Sequence, residues 1–180
     1  MIYFINALSL SRIIFAAVIF VLISNSQSYN LCLFLFALSS VSDYFDGYLA
    51  RKYNVTSDFG EIIDPVADKI LLIFILIALS INFSSYLVGF LSSLIVSREV
   101  WVAALRDFNS RNDNSRATKV IFISKIKTTI QFFTIFIYLA GLSFEKNLML
   151  IIGDLLLMIS ALITIYTGYL YTVKTLYSDN

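Results

Sequence analysis

"DYFDGYLARKYNVTSDFGEIIDPVADK", residues 43–69, decides the reading of this chain. Six acidic residues fall within it, separated by small and apolar ones, although 59% of the 180 residues are hydrophobic and only 14% are charged. A chain this apolar, with a single proline, is outside the range of ordinary soluble domains and reads as a membrane protein. Such a concentration of carboxylates in a greasy chain needs a chemical reason.

The residue types that are missing narrow that reason. There is no histidine and only one cysteine, which excludes a histidine base, a Ser-His pair and the usual nitrogen and sulfur ligands of zinc. Cys32 lies in an apolar run, has no partner for a disulfide, and reads as a packing residue. Chemistry here has to run on carboxylates, lysine, arginine, hydroxyls and oxygen-bound metal. The net charge of +1 leaves partner choice to the distribution of charge, and no nucleic-acid partner is expected.

Apolar segments of about 20 residues, the length of a membrane-crossing helix, fall near 7–24, 30–49, 62–81, 85–105, 127–144 and 148–172. The expected fold is all-α: a polytopic membrane protein of six transmembrane helices forming one domain over residues 1–180. Of the 13 Lys and Arg, only Lys146 falls on one side of that arrangement, and the connections "SNSQSYN" and "SINFSSY" carry no charge. By the positive-inside rule the basic side, with both termini, is cytoplasmic. The first stretch lacks a basic leader and a small-residue cleavage site, so it is read as a span and not a signal peptide. Residues 107–126 form the one substantial polar connection, part of it expected as an interfacial helix.

On a helix, Asp43, Asp46, Gly47 and Ala50 share one stripe, and Gly60, Asp64 and Asp68, spaced by four, share a second. If the helices fold back antiparallel, four carboxylates meet near the cytoplasmic boundary. Alone they would repel and take up protons. Divalent cations remove both problems, and oxygen-only donors suit two Mg²⁺ or Mn²⁺ ions about 3.5–4 Å apart, the separation used for phosphoryl-type displacement. Gly47, Ala50 and Gly60 leave room for a phosphate-bearing ligand or let helices approach closely. Arg51 has the bidentate geometry for phosphate, while Lys52 fits a surface anchor. Pro65 either starts the third span or bends it.

Asp43, Asp46, Gly47, Ala50, Arg51, Gly60, Asp64 and Asp68 together reproduce D-x2-D-G-x2-A-R-x8-G-x3-D-x3-D without a departure. The chain thereby resembles the CDP-alcohol phosphatidyltransferases. The resemblance implies a dimeric six-helix membrane enzyme that moves a phosphatidyl group from CDP-diacylglycerol to an alcohol and releases CMP. It further implies that Asp43, Asp46 and Asp64 ligate the metal pair, that Asp68 also contacts it and serves as general base, and that Gly47, Ala50, Arg51 and Gly60 hold the cytidine diphosphate.

Four further segments, "NALSLSR" at 6–12, "DPVADK" at 64–69, "SREVWVAALRD" at 97–107 and "SKIKTTIQ" at 124–131, resemble the bacterial phosphatidylglycerophosphate synthase branch of that family. Ser9 stands where threonine is common there and keeps the hydroxyl. This branch implies glycerol 3-phosphate as acceptor and a bacterial inner membrane with the site facing the cytoplasm. A phosphorylated acceptor needs fixed cations, and Arg98, Arg106, Lys125 and Lys127 cluster where the fourth and fifth spans meet that boundary. Each of them also fits inside-positive anchoring or pairing with Glu99 and Asp107. Lys125 and Lys127 diverge by about 200° on a regular helix, so one of them is expected to face lipid headgroups. Arg111, Arg116 and Lys119 read as solvated or lipid-facing, and Asp154 as a helix-end or dimer-contact residue. Two other readings stay open: a sister transferase using phosphatidylglycerol, inositol phosphate or serine, and a divalent-cation transporter. Cardiolipin-forming relatives tend to carry Gly-Arg-Asp where this chain has Ser97, Arg98 and Glu99.

Overall fold

Long apolar runs with a single proline satisfy their backbone groups in lipid as helices, since no water is available to take up a free N–H or C=O. The computed structural model describes the backbone of residues 2–53, 58–112 and 122–177, and the side chains of 7–42, 45, 60, 62–112 and 122–177. Six helices make up the described chain, α1 (Ile2–Ser24), α2 (Tyr29–Tyr53), α3 (Asp58–Phe83), α4 (Tyr86–Arg111), α5 (Phe122–Ser143) and α6 (Asn147–Tyr177), and no strand is present among the described residues. Each overlaps one of the six apolar segments. Among the described residues, stretches long and apolar enough to cross a membrane lie in α1, α4, α5 and α6, while the apolar part of α2, Tyr29–Ser42, is shorter. The molecule is a multi-pass membrane protein.

The ends of the polar connection at 107–126 belong to the flanking helices, because α4 continues to Arg111 and α5 begins at Phe122. The interfacial helix expected within that segment would have to lie in residues outside the described ones. Pro65 sits inside α3, so the helix runs through it, with one backbone hydrogen bond interrupted at the level of Asp64 and Asp68.

The helices close a ring in which neighbours run α1, α3, α4, α6, α5, α2 and back to α1. The polarity is that expected in lipid. Large apolar side chains such as Phe34, Phe90, Leu148 and Leu162 face outward, while Ser9, Arg12, Ser39, Thr134, Ser160, Thr164 and Thr167 are fully buried. Between them lies the apolar centre: Ile19 and Ile23 of α1, Leu71, Ile75 and Leu79 of α3, Ile95 of α4 and Ile135 and Leu139 of α5. At one end of the ring the connections are tight. Ser26, Ser28, Ser84 and Glu145 take positive φ there, the left-handed turn position more often given to glycine. Asn82 braces that end by donating to the Ile23 carbonyl at 2.9 Å and standing 3.0 Å from both Ser26 Oγ and Tyr29 Oη.

Candidate active site

Ser9 and Arg12 are three apart on α1 and so share the face that meets α3, where Asp64 and Asp68 are four apart. Ser9 Oγ donates to Asp64 Oδ1 and Arg12 Nη1 donates to Asp68 Oδ1. Arg12 Nη2 lies 3.4 Å from Asp64 Oδ1. Arg12 is wholly buried, while the Asp64 and Asp68 side chains keep 39% and 33% of their exposure. A guanidinium stays inside an apolar bundle only with a carboxylate beside it, and here two partly open carboxylates meet one closed cation.

In the sequence Arg12 counts among the basic residues of one membrane side and closes the segment 6–12; its pairing with Asp68 comes from the packing of α1 on α3. The available signal was a serine and an arginine one turn apart inside an apolar run, the arginine opposite in charge to the later aspartates. Nothing in the spacing said which helix they would face.

Gly60 is buried on α3 one turn before Asp64. The backbone of α2 carries Asp43, Asp46, Gly47, Ala50 and Arg51 in helical register, as expected, but their side chains lie outside the described residues. Among the described residues no group of three metal-ligating side chains gathers. The donors that are described, Asp64 and Asp68, do fit a hard divalent cation: both offer carboxylate oxygen, stand one turn apart and remain partly open.

Asp68 and Pro65 also line a cavity of about 410 Å³ whose other walls come from α4 and α5. Lys69, Arg98, Glu99, Arg106, Lys125 and Lys127 all border it, so five cations and two carboxylates share one space. All four basic residues singled out from the sequence as acceptor-phosphate candidates reach this cavity together with Asp68.

They do so in two ways. Arg98 and Lys127 are buried and held by protein. Arg98 donates from Nε to the Thr164 carbonyl at 3.1 Å and from Nη2 to Thr167 Oγ1 at 2.8 Å, and its Nη1 pairs with Glu99 Oε1 at 3.2 Å. Lys127 Nζ donates to the same Glu99 oxygen. Arg106 and Lys125 are exposed, and no carboxylate pairs with either among the described residues. The two lysines diverge as their spacing requires, Lys127 into the bundle and Lys125 outward.

Tyr171 of α6 organises the wall behind these groups. The Arg98 and Arg106 guanidinium carbons stand 5.6 and 5.8 Å from its ring centroid, and its hydroxyl is 3.1 Å from Ser124 Oγ. Gln131 adds a tie between α5 and α6 by donating to Thr164 Oγ1 at 3.2 Å. The threonines and Tyr171 of α6 were not singled out from the sequence, since hydroxyls in an apolar helix carry no spacing signal of their own.

The remaining expectations fall elsewhere. Asp107 pairs with Arg111, not Arg106, at 2.8 Å on the surface. Arg116 and Lys119 lie outside the described residues. Asp154 accepts from the Tyr138 hydroxyl at 2.7 Å, linking α5 and α6 far from the acidic site. Cys32 is buried and free.

A helical membrane bundle with carboxylates at the edge of a cation-lined cavity offers the groups that an enzyme acting on phosphorylated substrates at a membrane would use. Comparison with known proteins makes the class definite: a family model described as CDP-alcohol phosphatidyltransferase matches residues 3–170. A protein of Rickettsia typhi named CDP-diacylglycerol--glycerol-3-phosphate 3-phosphatidyltransferase is 38% identical over 169 residues, 92% of this chain and 93% of that one. Proteins of the same name from Blochmanniella floridana and Wigglesworthia glossinidia brevipalpis are each 35% identical, over 81% and 88% of this chain and 76% and 86% of their own lengths. The chain belongs to the CDP-alcohol phosphatidyltransferase family and is a phosphatidyltransferase enzyme of phospholipid biosynthesis.

Proposed function

We propose that this enzyme transfers the phosphatidyl group of CDP-diacylglycerol to glycerol 3-phosphate, yielding phosphatidylglycerophosphate and CMP. The observation that carries the reading is the cavity in which Asp68 shares walls with Arg98, Arg106, Lys125 and Lys127. A carboxylate that takes a proton from a hydroxyl and cations that hold a phosphate are the two things this acceptor needs. The names of the relatives point the same way.

Asp68 accepts the proton of the attacking hydroxyl, and Arg12, bonded to its Oδ1, keeps the carboxylate aimed. Arg106 and Lys125, the exposed cations, take the acceptor phosphate, while Arg98 and Lys127 shape the wall behind it. Gly47, Ala50, Arg51 and Gly60 hold the cytidine diphosphate, the small residues leaving room and Arg51 engaging phosphate oxygens. Asp43, Asp46, Asp64 and Asp68 would hold Mg²⁺ or Mn²⁺, two ions in the full site. When bound, such ions neutralise the diphosphate and the charge that develops on CMP. No covalent intermediate on the protein is required.

The side of the membrane follows from charge: the cavity cations belong to the basic face, which the positive-inside rule assigns to the cytoplasm of a bacterial inner membrane. There a lipid-anchored nucleotide and a water-soluble phosphate meet. The working unit is a homodimer, as the family resemblance implies.

The test is an acceptor panel on purified protein with CDP-diacylglycerol, reading CMP release against glycerol 3-phosphate, phosphatidylglycerol, inositol phosphate and serine. Turnover with glycerol 3-phosphate, in the presence of Mg²⁺ or Mn²⁺, is expected to exceed the others. Preference for another acceptor reassigns the enzyme within its family. Divalent-ion flux in liposomes without CMP release would mark a transporter instead.

A further inference from the structure

Glu99 is the one carboxylate on the α4 and α5 walls of the cavity, and the mechanism above leaves it without a task. Its side chain is 13% exposed, and a single oxygen, Oε1, takes both Arg98 Nη1 and Lys127 Nζ. No donor reaches Oε2 among the described residues. An ionised carboxylate offers about four lone-pair positions, so half of its accepting capacity is uncommitted at the rim of a substrate-sized space.

Resting on the glycerol 3-phosphate reading, we propose that Glu99 reads the acceptor's second hydroxyl, taking its hydrogen bond on Oε2 while Arg106 and Lys125 hold the phosphate. The acceptor brings three groups to the cavity. Its attacking hydroxyl goes to Asp68. Its phosphate dianion is repelled by Glu99 and drawn to cations that no carboxylate already neutralises. What remains is the secondary hydroxyl, a donor, and Glu99 is an acceptor only. Arg98 and Lys127 keep Glu99 in place, and Thr164 and Thr167 keep Arg98 in place in turn.

The experiment pairs a change in the protein with a change in the substrate. Glycerol 3-phosphate is compared with 3-hydroxypropyl phosphate, which lacks only the second hydroxyl, in the wild type, Glu99→Gln and Glu99→Ala, reading kcat/KM by CMP release. The wild type is expected to favour glycerol 3-phosphate about 10- to 100-fold, the range of a hydrogen bond to a charged group. In Glu99→Ala the ratio drops to within about threefold of one, and Glu99→Gln lies between, since an amide oxygen accepts without the charge. A residue that merely braced Arg98 and Lys127 would lower both acceptors in proportion, and an unchanged ratio in both variants overturns the proposal. If neither variant folds, the wild-type ratio decides: a value near one overturns the proposal and a value above about ten supports it. A wild type that turns over another acceptor and not glycerol 3-phosphate overturns the underlying acceptor reading and this inference with it.

Discussion

Arg12 of α1, wholly buried, donates to Asp68 of α3 across 56 residues of sequence. Its second nitrogen approaches Asp64, which also receives the Ser9 hydroxyl, so one helix face holds two carboxylates that must stay oriented toward substrate. Removing the cation leaves two partly open carboxylates to repel each other and the proposed base unaimed. Arg12→Met should lower kcat/KM by at least about 100-fold, with Arg12→Lys about tenfold better than Met because the charge survives but the fork does not. CMP release on protein matched for folded content checks this. Wild-type turnover in Arg12→Met would remove Arg12 from the site.

Asp68→Asn keeps the shape of the side chain and removes the proton acceptor. Loss of a general base costs about 10²- to 10⁴-fold. The expected result is that loss in kcat per folded molecule, with a lower thermal unfolding temperature as well, because the buried Arg12 loses its charged partner. Full activity in Asp68→Asn would move the base elsewhere.

Chelation should stop turnover, and Mg²⁺ or Mn²⁺ should restore it. Asp64→Asn, which takes one anionic donor from the set, should raise the metal concentration for half-maximal activity by about tenfold or more. Titration of activity against free metal in both proteins tests this, and an unshifted curve would take Asp64 out of the ligand set.

Gly168 of α6 sits against Arg98: a Cβ placed there would stand 3.0 Å from Arg98 Cγ. Gly168→Val pushes on the guanidinium that Thr164 and Thr167 hold, and through it on Glu99. The acceptor KM should rise about five- to tenfold, a change of about 1 kcal/mol, while the KM for CDP-diacylglycerol stays put. Equal changes in both constants would point to a general loosening of α6.

Gly153 gives a contrast at the far end of the bundle. A Cβ there would fall 2.6 Å from Tyr138 Cε1, so Gly153→Ala has to displace the ring that bonds Asp154. Overpacking of this kind costs about 1–3 kcal/mol. Thermal stability should fall, and turnover per folded molecule should not, because the cavity is lined by other residues.

Much of this was written in one dimension. Apolar runs of bilayer length called for helices before any packing was known, and each run proved to be one helix. The aspartate spacing put Asp64 and Asp68 on one face of α3, and the basic residues that the sequence grouped by membrane side reach one cavity. What the sequence could not carry was identity of neighbours. Arg12 looked like a topology charge because a lone arginine at the mouth of a span is commonly one. Arg98 and Lys127 looked interchangeable with Arg106 and Lys125 as phosphate binders, since helical position says nothing about which cation is already paired.

Composition, hydropathy and periodicity are local quantities, and they were enough for the helical membrane class, the missing histidine and sulfur chemistry and the stripe of carboxylates. The ring order α1, α3, α4, α6, α5, α2 arose from packing between helices far apart in the chain. That order brought Arg12 to Asp68 and Lys127 to Glu99. A charge inside a low-dielectric bundle must find its opposite, and which opposite it finds depends on which helices touch.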